Sequence, residues 1–532
     1  MPDPRFRVLV TDSVDSEGVA LLRECPEIEV VERPTMTPDV LEGEIGGYDA
    51  LVGRSATKVP AGLLERAGRL RVIGRAGVGI DNIDLERATQ LGVAVINAPG
   101  GNVVSVAELF FGVLISLARR IHAAAVSMSE GRWERAQLGG IELHGRRLAV
   151  IGVGRIGSEV ARRARSFGME VSGYDPYVTG ERFAELGVER AEGLEEALSR
   201  ADVLTLHTPL SGETRGMIDA AALSRLPPGS LVLNLARGGI VDEDALADAL
   251  RAGRIAGAAL DVFAVEPLPA GHPLRSAPNL LLTPHLGAST AEAQKSVAVE
   301  ACTAVRNALL TGDLSAALNA VGMGTGDLRP LMELSDRLGR LGRALLPGGL
   351  GQVELRYAGP REDAPRPLLF AALQGVLRNV VDQRGINLVN ALHVAEERGI
   401  ETAWTRVAPH GDGSVPTVEL RLKSGERSLW VAGAVLAGSH LRVTRINDFH
   451  VDVAPKGTLL ILRNRDVPGV IGRVGTLLGD EGVNIAEYHQ ARLQAGGEAL
   501  AAISIDGRLG TGQLERLCQL DEVLEVRQVM MH

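Results

Sequence analysis

Cysteine is almost missing: three in 532 residues, at Cys25, Cys302 and Cys518. The number is odd, the three stand far apart and no C-x-x-C spacing occurs, which argues against a disulfide framework or a cysteine-bound metal and suits a reducing compartment. No metal site is expected. Aromatic residues make up only 3% of the chain, so its cores must be packed by Ala, Val, Leu and Ile. A basic surplus is absent too: 56 Lys and Arg against 66 Asp and Glu leave a net charge of −10. That balance argues against a general binder of nucleic acid or anionic membrane, which needs a basic face. Apolar runs stay short, the longest at 109–118, well under the roughly 18 residues of a membrane span. Residues 1–7 have no apolar signal-peptide core. The expected address is the cytoplasm.

What is there is ordinary globular composition, 45% hydrophobic and 23% charged, over a length that suggests three or four domains. The strongest signal lies at residues 148–175, LAVIGVGRIGSEVARRARSFGMEVSGYD. Residues 148–152 read as a buried strand. Gly152, Gly154 and Gly157 follow as G-x-G-x-x-G, a helix is expected over 158–167, and a second strand over 169–174 carries Asp175 at its tip. Each glycine has a task in a dinucleotide turn: the tight bend, the approach of backbone to pyrophosphate, and the packing of helix on sheet. The helix N-terminus then faces the phosphates. Asp175 suits a ribose hydroxyl and repels a 2′-phosphate, and no Arg follows before Arg182, so NAD is expected rather than NADP.

Before this motif, apolar β-rich runs (8–11, 28–31, 50–52, 70–73 and 93–96) alternate with helical patterns, which predicts parallel strands with crossover helices. Two runs end in arginine, Arg54 and Arg75, where ligands of parallel sheets sit. They form a candidate anion clamp, or each pairs with a surface carboxylate. A turn-rich break at 97–102 precedes a single apolar helix predicted over 103–121. Further strands are expected at 203–206, 231–235, 258–260 and 280–282. A helix follows over 290–310, capped by Ser289 or Thr290. A Gly-rich linker is expected at 322–326 and a mixed region at 328–453, with a helix over 367–383 and strands at 417–422 and 428–431. Residues 455–457 make another break, and 458–532 read as a β-α-β unit repeated once.

Three polar groups fall at or just beyond predicted strand ends in the second unit: Arg237, Glu266 and His285. Oxidation of a secondary alcohol needs a base for the hydroxyl proton; histidine suits this near neutral pH, and a carboxylate fixes its tautomer. Arginine forks a carboxylate and polarises a developing carbonyl. Asp261 closes the strand at 258–260 and is either a nicotinamide contact or a loop cap.

Taken in order, VGRSATKV, GRAGVGIDNID, GGNVVSVAE, GVGRIG, LNLARGGIVDE, ALDVFAVEP and TPHLGAST resemble the D-isomer-specific 2-hydroxyacid dehydrogenases. The rest resembles the long, phosphoglycerate-oxidising branch of that family, with an intervening allosteric substrate-binding domain and an ACT regulatory domain (DVPGVIGRVGTLL and GVNIAEYH). The resemblance implies an α/β fold: a Rossmann-like nucleotide domain (99–286) inserted in a flavodoxin-like substrate domain (1–98 and 287–317). An α+β intervening domain (318–454) and a ferredoxin-like ACT domain (455–532) would follow. It implies His285 as acid/base, Glu266 as its orienting partner and Arg237 as carboxylate anchor. Val78, Gly152, Gly154, Arg155, Ile156, Gly157, Asp175 and Thr208 would line NAD, together with Leu235, Ala236, Arg237, Asp261, His285, Gly287 and Ala288. Arg54, Ser55, Arg75 and Asn102 would grip the phosphorylated acid. The implied reaction is oxidation of 3-phospho-D-glycerate to 3-phosphohydroxypyruvate, the entry to L-serine synthesis.

The same resemblance implies L-serine as effector, held by Asp466 and Asn484, and a homodimer or homotetramer. Asn464 departs from relatives that carry an aromatic residue there. Arg442 and Arg445, near Lys423, are a candidate anion-binding cluster or plain solvated cations. Two other readings stay open: a reductase of unphosphorylated glyoxylate or hydroxypyruvate, and a non-catalytic NAD-sensing corepressor. The amino-acid-sensing tail and the paired Arg54 and Arg75 weigh against the first, and the two C-terminal domains against the second.

Overall fold

A computed structural model describes residues 5–320, 328–378, 386–408 and 415–531; the expected linker at 322–326 lies outside them. Short strands rich in Val, Ile, Leu and Ala, the central ones buried on both faces, build two all-parallel sheets, the pattern that crossover helices on both faces require.

The first sheet contains β1 (Phe6–Val10), β2 (Ile28–Glu32), β3 (Ala50–Gly53), β4 (Val72–Arg75) and β5 (Ala94–Asn97) in the order β2-β1-β3-β4-β5. This is the flavodoxin-like winding. The second contains β6 (Arg147–Ile151), β7 (Glu170–Tyr174), β8 (Glu189–Arg190), β9 (Val203–Leu206), β10 (Leu231–Asn234), β11 (Gly257–Leu260) and β12 (Leu280–Leu282). Its order, β12-β11-β10-β9-β6-β7-β8, reverses direction between β6 and β9. Ligands bind outside the strand ends at such a reversal.

The helix Ala291–Thr311 does not stay with the second sheet. Val297, Ala298, Ala301, Cys302 and Val305 share a core with Val8, Val10, Val52 and Val72 of the first. Thr290 caps it by accepting the Ala293 amide, one of the two expected caps. Asn319 extends the return: its Oδ1 accepts the Val95 amide at 2.9 Å, and its Nδ2 donates to the Val93 carbonyl at 2.8 Å.

Beyond it, a six-stranded mixed sheet is backed by helices Arg329–Leu345 and Pro365–Leu377. A four-stranded antiparallel sheet with helices Val470–Asp480 and Thr511–Cys518 closes the chain. Its elements run β-α-β-β-α-β, the repeated unit expected from the sequence, and its strand order is ferredoxin-like.

Several local expectations are corrected. The single helix over 103–121 is two, Val103–Ala118 and Ile121–Ser129, bent by 65° at Arg120, whose φ is +53°. The returning chain seals that break: the Ile141 amide donates to the Ala118 carbonyl, and a Cβ on Gly140 would strike the same peptide. The helix expected at 158 begins at Arg155, directly after Gly154. The one expected over 367–383 runs Pro365–Leu377, and 379–385 lie outside the described residues. Among the described residues no single helix is long and apolar enough to cross a membrane.

Candidate active site

The glycine-rich turn joins β6 to helix Arg155–Ser166. Gly152 has φ +91°, a left-handed conformation that favours glycine, and a Cβ there would lie 2.7 Å from the His207 carbonyl oxygen. A Cβ on Gly157 would collide with the Gly152 carbonyl, whereas Gly154 faces open space. The first helical amides are therefore presented to an anion. Asp175 Oδ2 accepts the Val153 amide at 2.9 Å, fixing the acid against the turn across 22 residues.

The carboxyl ends of the two parallel sheets face each other across a cavity of about 420 Å³. From the first unit it receives the expected Ser55, Arg75 and Val78, with Asn102 from the connecting turn. The nucleotide unit supplies Arg155, Ile156, Thr208, Leu235, Ala236 and Arg237. Asp261, Glu266, His285, Gly287 and Ala288 complete the expected set. Arg54 stands beside this wall rather than in it, and the three motif glycines and Asp175 lie outside its lining.

His285 Nδ1 is 2.9 Å from Glu266 Oε2, and Glu266 Oε1 accepts the Phe263 amide at 3.1 Å. Burial works to raise the Glu266 carboxyl, but the hydrogen bonds from His285 and Phe263, with the fields of His285 and Arg237, hold it below the usual carboxylate range. His285 has φ +56°, a strained value for a residue with a side chain, and its amide donates back to the Thr283 carbonyl. Asp261 supports that bend. Its Oδ1 accepts from Thr283 Oγ1 and the Leu286 amide and its Oδ2 from the Gly287 amide, so of its two expected roles the structure displays the loop cap. Burial raises its carboxyl above the ordinary value.

The same cavity carries guanidinium groups. Burial, then the charges of Arg237 and Arg54, lower the Arg75 guanidinium to about 10, so it carries its charge at neutral pH. Its Nε is buried without a hydrogen-bond partner, as are Asn102 Oδ1 and Thr208 Oγ1. Orphaned polar atoms around one cavity fit a polar, anionic ligand. The glycine cradle, the free helix amides and the Thr208 hydroxyl fit a dinucleotide.

The sequence reading passed over Lys58, Asp81, Asn82 and His207, all on this cavity. His207 directly follows β9, a strand-end position that could have flagged it. Its Nε2 meets Thr205 Oγ1 at 3.0 Å, and burial lowers its imidazole to about 4, which keeps it neutral. The proposed Arg442–Arg445 anion cluster is not formed. Arg442 is taken by Asp452 at 2.6 Å and Glu487 at 3.2 Å, and Arg445 lies 3.9 Å over the Trp430 ring. At the far end Asp466 Oδ2 accepts from Arg492 at 3.3 Å and from the Gly496 amide at 3.2 Å, and Asn484 Nδ2 donates to Asp506 at 2.9 Å.

Fold and site together define the class of NAD-dependent dehydrogenases acting on D-2-hydroxy acids. The comparisons agree: residues 111–287 match the D-isomer specific 2-hydroxyacid dehydrogenase NAD binding domain, and residues 327–447 the D-3-phosphoglycerate dehydrogenase intervening domain. D-3-phosphoglycerate dehydrogenase of Methanocaldococcus jannaschii is 38% identical over 98% of this chain and 99% of its own. The Bacillus subtilis enzyme of the same name is 38% identical over the same shares. An NAD-dependent formate dehydrogenase from Staphylococcus aureus, solved with NAD, is 28% identical with a TM-score of 0.52, covering 57% of this chain and 96% of its own. The chain belongs to the D-3-phosphoglycerate dehydrogenase family and is an NAD-dependent oxidoreductase.

Proposed function

We propose that this chain oxidises 3-phospho-D-glycerate to 3-phosphohydroxypyruvate, the step that opens L-serine synthesis. The observation that supports the reading is the convergence of Arg75 and Arg237 on the cavity that holds His285, with the Nε of Arg75 left without a hydrogen-bond partner. An unphosphorylated acid would engage Arg237 and bring no anion to Arg75, so the glyoxylate or hydroxypyruvate reductase reading is the weaker one.

In this reading Gly152, Gly154, Gly157, the amides of Arg155 and Ile156, Asp175 and Thr208 hold the dinucleotide. Val78, Leu235, Ala236, Asp261, Gly287 and Ala288 enclose its nicotinamide end. When bound, NAD supplies the hydride acceptor. Arg237 forks the α-carboxylate and draws charge toward the forming carbonyl. His285 Nε2 takes the hydroxyl proton; Nδ1 stays bonded to Glu266, which fixes the tautomer and stabilises the imidazolium that results. Arg75, with Arg54, Ser55 and Asn102, holds the phosphorylated end. The neutral His207 adds a wall without adding charge.

The same proposal divides the chain into a substrate domain (1–98 and 287–317), an inserted nucleotide domain (99–286), an intervening domain (318–454) and an ACT domain (455–532). The return of helix Ala291–Thr311 onto the first sheet supports the discontinuity. L-Serine is the proposed effector, at Asp466 and Asn484 in a homodimer or homotetramer, and three free thiols are in keeping with a cytoplasmic address. Steady-state reduction with NADH tests the substrate: kcat/KM for 3-phosphohydroxypyruvate should exceed that for hydroxypyruvate by about 10²-fold or more. Comparable values overturn the phosphate assignment.

A further inference from the structure

The guanidinium that anchors the acid is itself held by two groups from opposite sides of the cleft. Arg237 Nη1 donates to the Ala236 carbonyl at 2.7 Å, within the nucleotide unit. Its Nε donates to Asp81 Oδ2 at 3.1 Å, and Asp81 belongs to the loop that follows β4 in the first unit, 156 residues away. That loop also provides a seat. A Cβ on Gly79 would fall on the Arg237 guanidinium and 2.8 Å from Asp81 Oδ2, so only a bare backbone leaves the space that Arg237 fills.

Charge explains why a seat is needed. Arg75 and Arg237 stand close enough to oppose one another: Arg237 acts to lower the Arg75 guanidinium, and Asp81 acts to raise it. Asp81 is the counter-charge between two cations that would otherwise repel across the cleft. Its side chain is 63% exposed, and an ion pair of that exposure contributes little to stability. A carboxylate beside an anion site also repels the incoming acid, a cost with no return unless it serves the site another way.

The donor geometry supplies that service. A guanidinium has five N–H groups. With Nε on Asp81 and one Nη1 hydrogen on Ala236, three donors stay free, one on Nη1 and two on Nη2, and the Nη1–Nη2 edge can take a carboxylate end-on. We propose that Asp81 is a positioning residue: it aims the Arg237 fork into the cavity, and does so only when the two units meet, so that cleft closure and assembly of the anchor are one event. The inference rests on the reading of Arg237 as carboxylate anchor.

The test is steady-state reduction of 3-phosphohydroxypyruvate by the full chain and by Asp81→Ala, Asp81→Asn, Arg237→Ala and the Arg237→Ala/Asp81→Ala double variant. Asp81→Ala should raise KM for the keto acid about tenfold or more, leave KM for NADH within about twofold, and leave the melting temperature unchanged. Asp81→Asn, which keeps an acceptor oxygen but not the charge, should fall between. In the Arg237→Ala background, Asp81→Ala should add nothing, because its effect runs through that guanidinium. A keto-acid KM that is unchanged or lowered in Asp81→Ala, or a full effect persisting without Arg237, overturns the inference. Arg237→Ala with an unaltered keto-acid KM overturns the anchor reading instead, so the two failures are distinguishable.

Discussion

Glu266 meets His285 with one carboxylate oxygen, at 2.9 Å, and spends the other on the Phe263 amide three residues upstream. The carboxylate is therefore fixed to its own loop before it fixes the imidazole, and the imidazole is bent toward the cavity by a backbone that Asp261 secures from below. Changing Glu266→Gln keeps the shape and removes the charge that stabilises the imidazolium. We expect kcat to fall by about 10²-fold or more with NADH affinity unchanged, measured by steady-state kinetics and fluorescence titration.

The same residue makes a pH prediction. Its folded-state carboxyl lies below the ordinary value of about 4.3, so its contribution to stability is present above that value and is lost as pH falls through the lowered one. The melting-temperature difference between the wild type and Glu266→Gln should shrink as pH falls below about pH 4. Constant separation into strong acid would contradict it.

Arg75 predicts opposite signs for stability and binding. Burial and two like charges disfavour its guanidinium in the free protein, so Arg75→Gln should leave the melting temperature unchanged or raise it by a few degrees. The same change should raise KM for 3-phosphohydroxypyruvate more than tenfold, since a charge-assisted fork is lost. Inorganic phosphate should stabilise the wild type more than the variant.

At the glycine turn, Gly157→Ala places a Cβ against the Gly152 carbonyl. The turn or the helix must shift, and NADH affinity should fall by about tenfold or more while the far-UV dichroism stays native. Gly154→Ala, whose Cβ would meet nothing within 4 Å, tests the other half: any loss there reports crowding of the bound cofactor itself.

Much of this was legible from local signals. The turn at Gly152 to Gly157 combines a strand, three spaced glycines and an acid in register, and each part restricts the backbone. Arg75, Arg237, Glu266 and His285 stand at or just after strand ends, so topology gathers what spacing separates. Where the reading fell short, the cause was tertiary. Asp81 has no local signature, because its partner is 156 residues away. Asp12, whose carboxylate accepts the Arg54 and Thr57 amides, is equally silent in sequence. The helix break at Arg120 depends on the chain returning at Ile141. Arg442 is neutralised by Asp452 of the adjacent strand and by Glu487 of the next sheet, partners that its local sequence does not reveal. The strand Gln352–Ala358 did carry a signal, with Val353, Leu355 and Tyr357 inward and Glu354 and Arg356 outward.

The central claim is that one imidazole moves the substrate proton while other residues hold the cofactor. It is tested most directly by His285→Ala, with NADH affinity and turnover of 3-phosphohydroxypyruvate measured on one preparation. The account predicts a loss of kcat of about 10²–10⁴-fold with the NADH Kd within about twofold of wild type. Turnover retained within tenfold, with the cofactor bound as before, would contradict it.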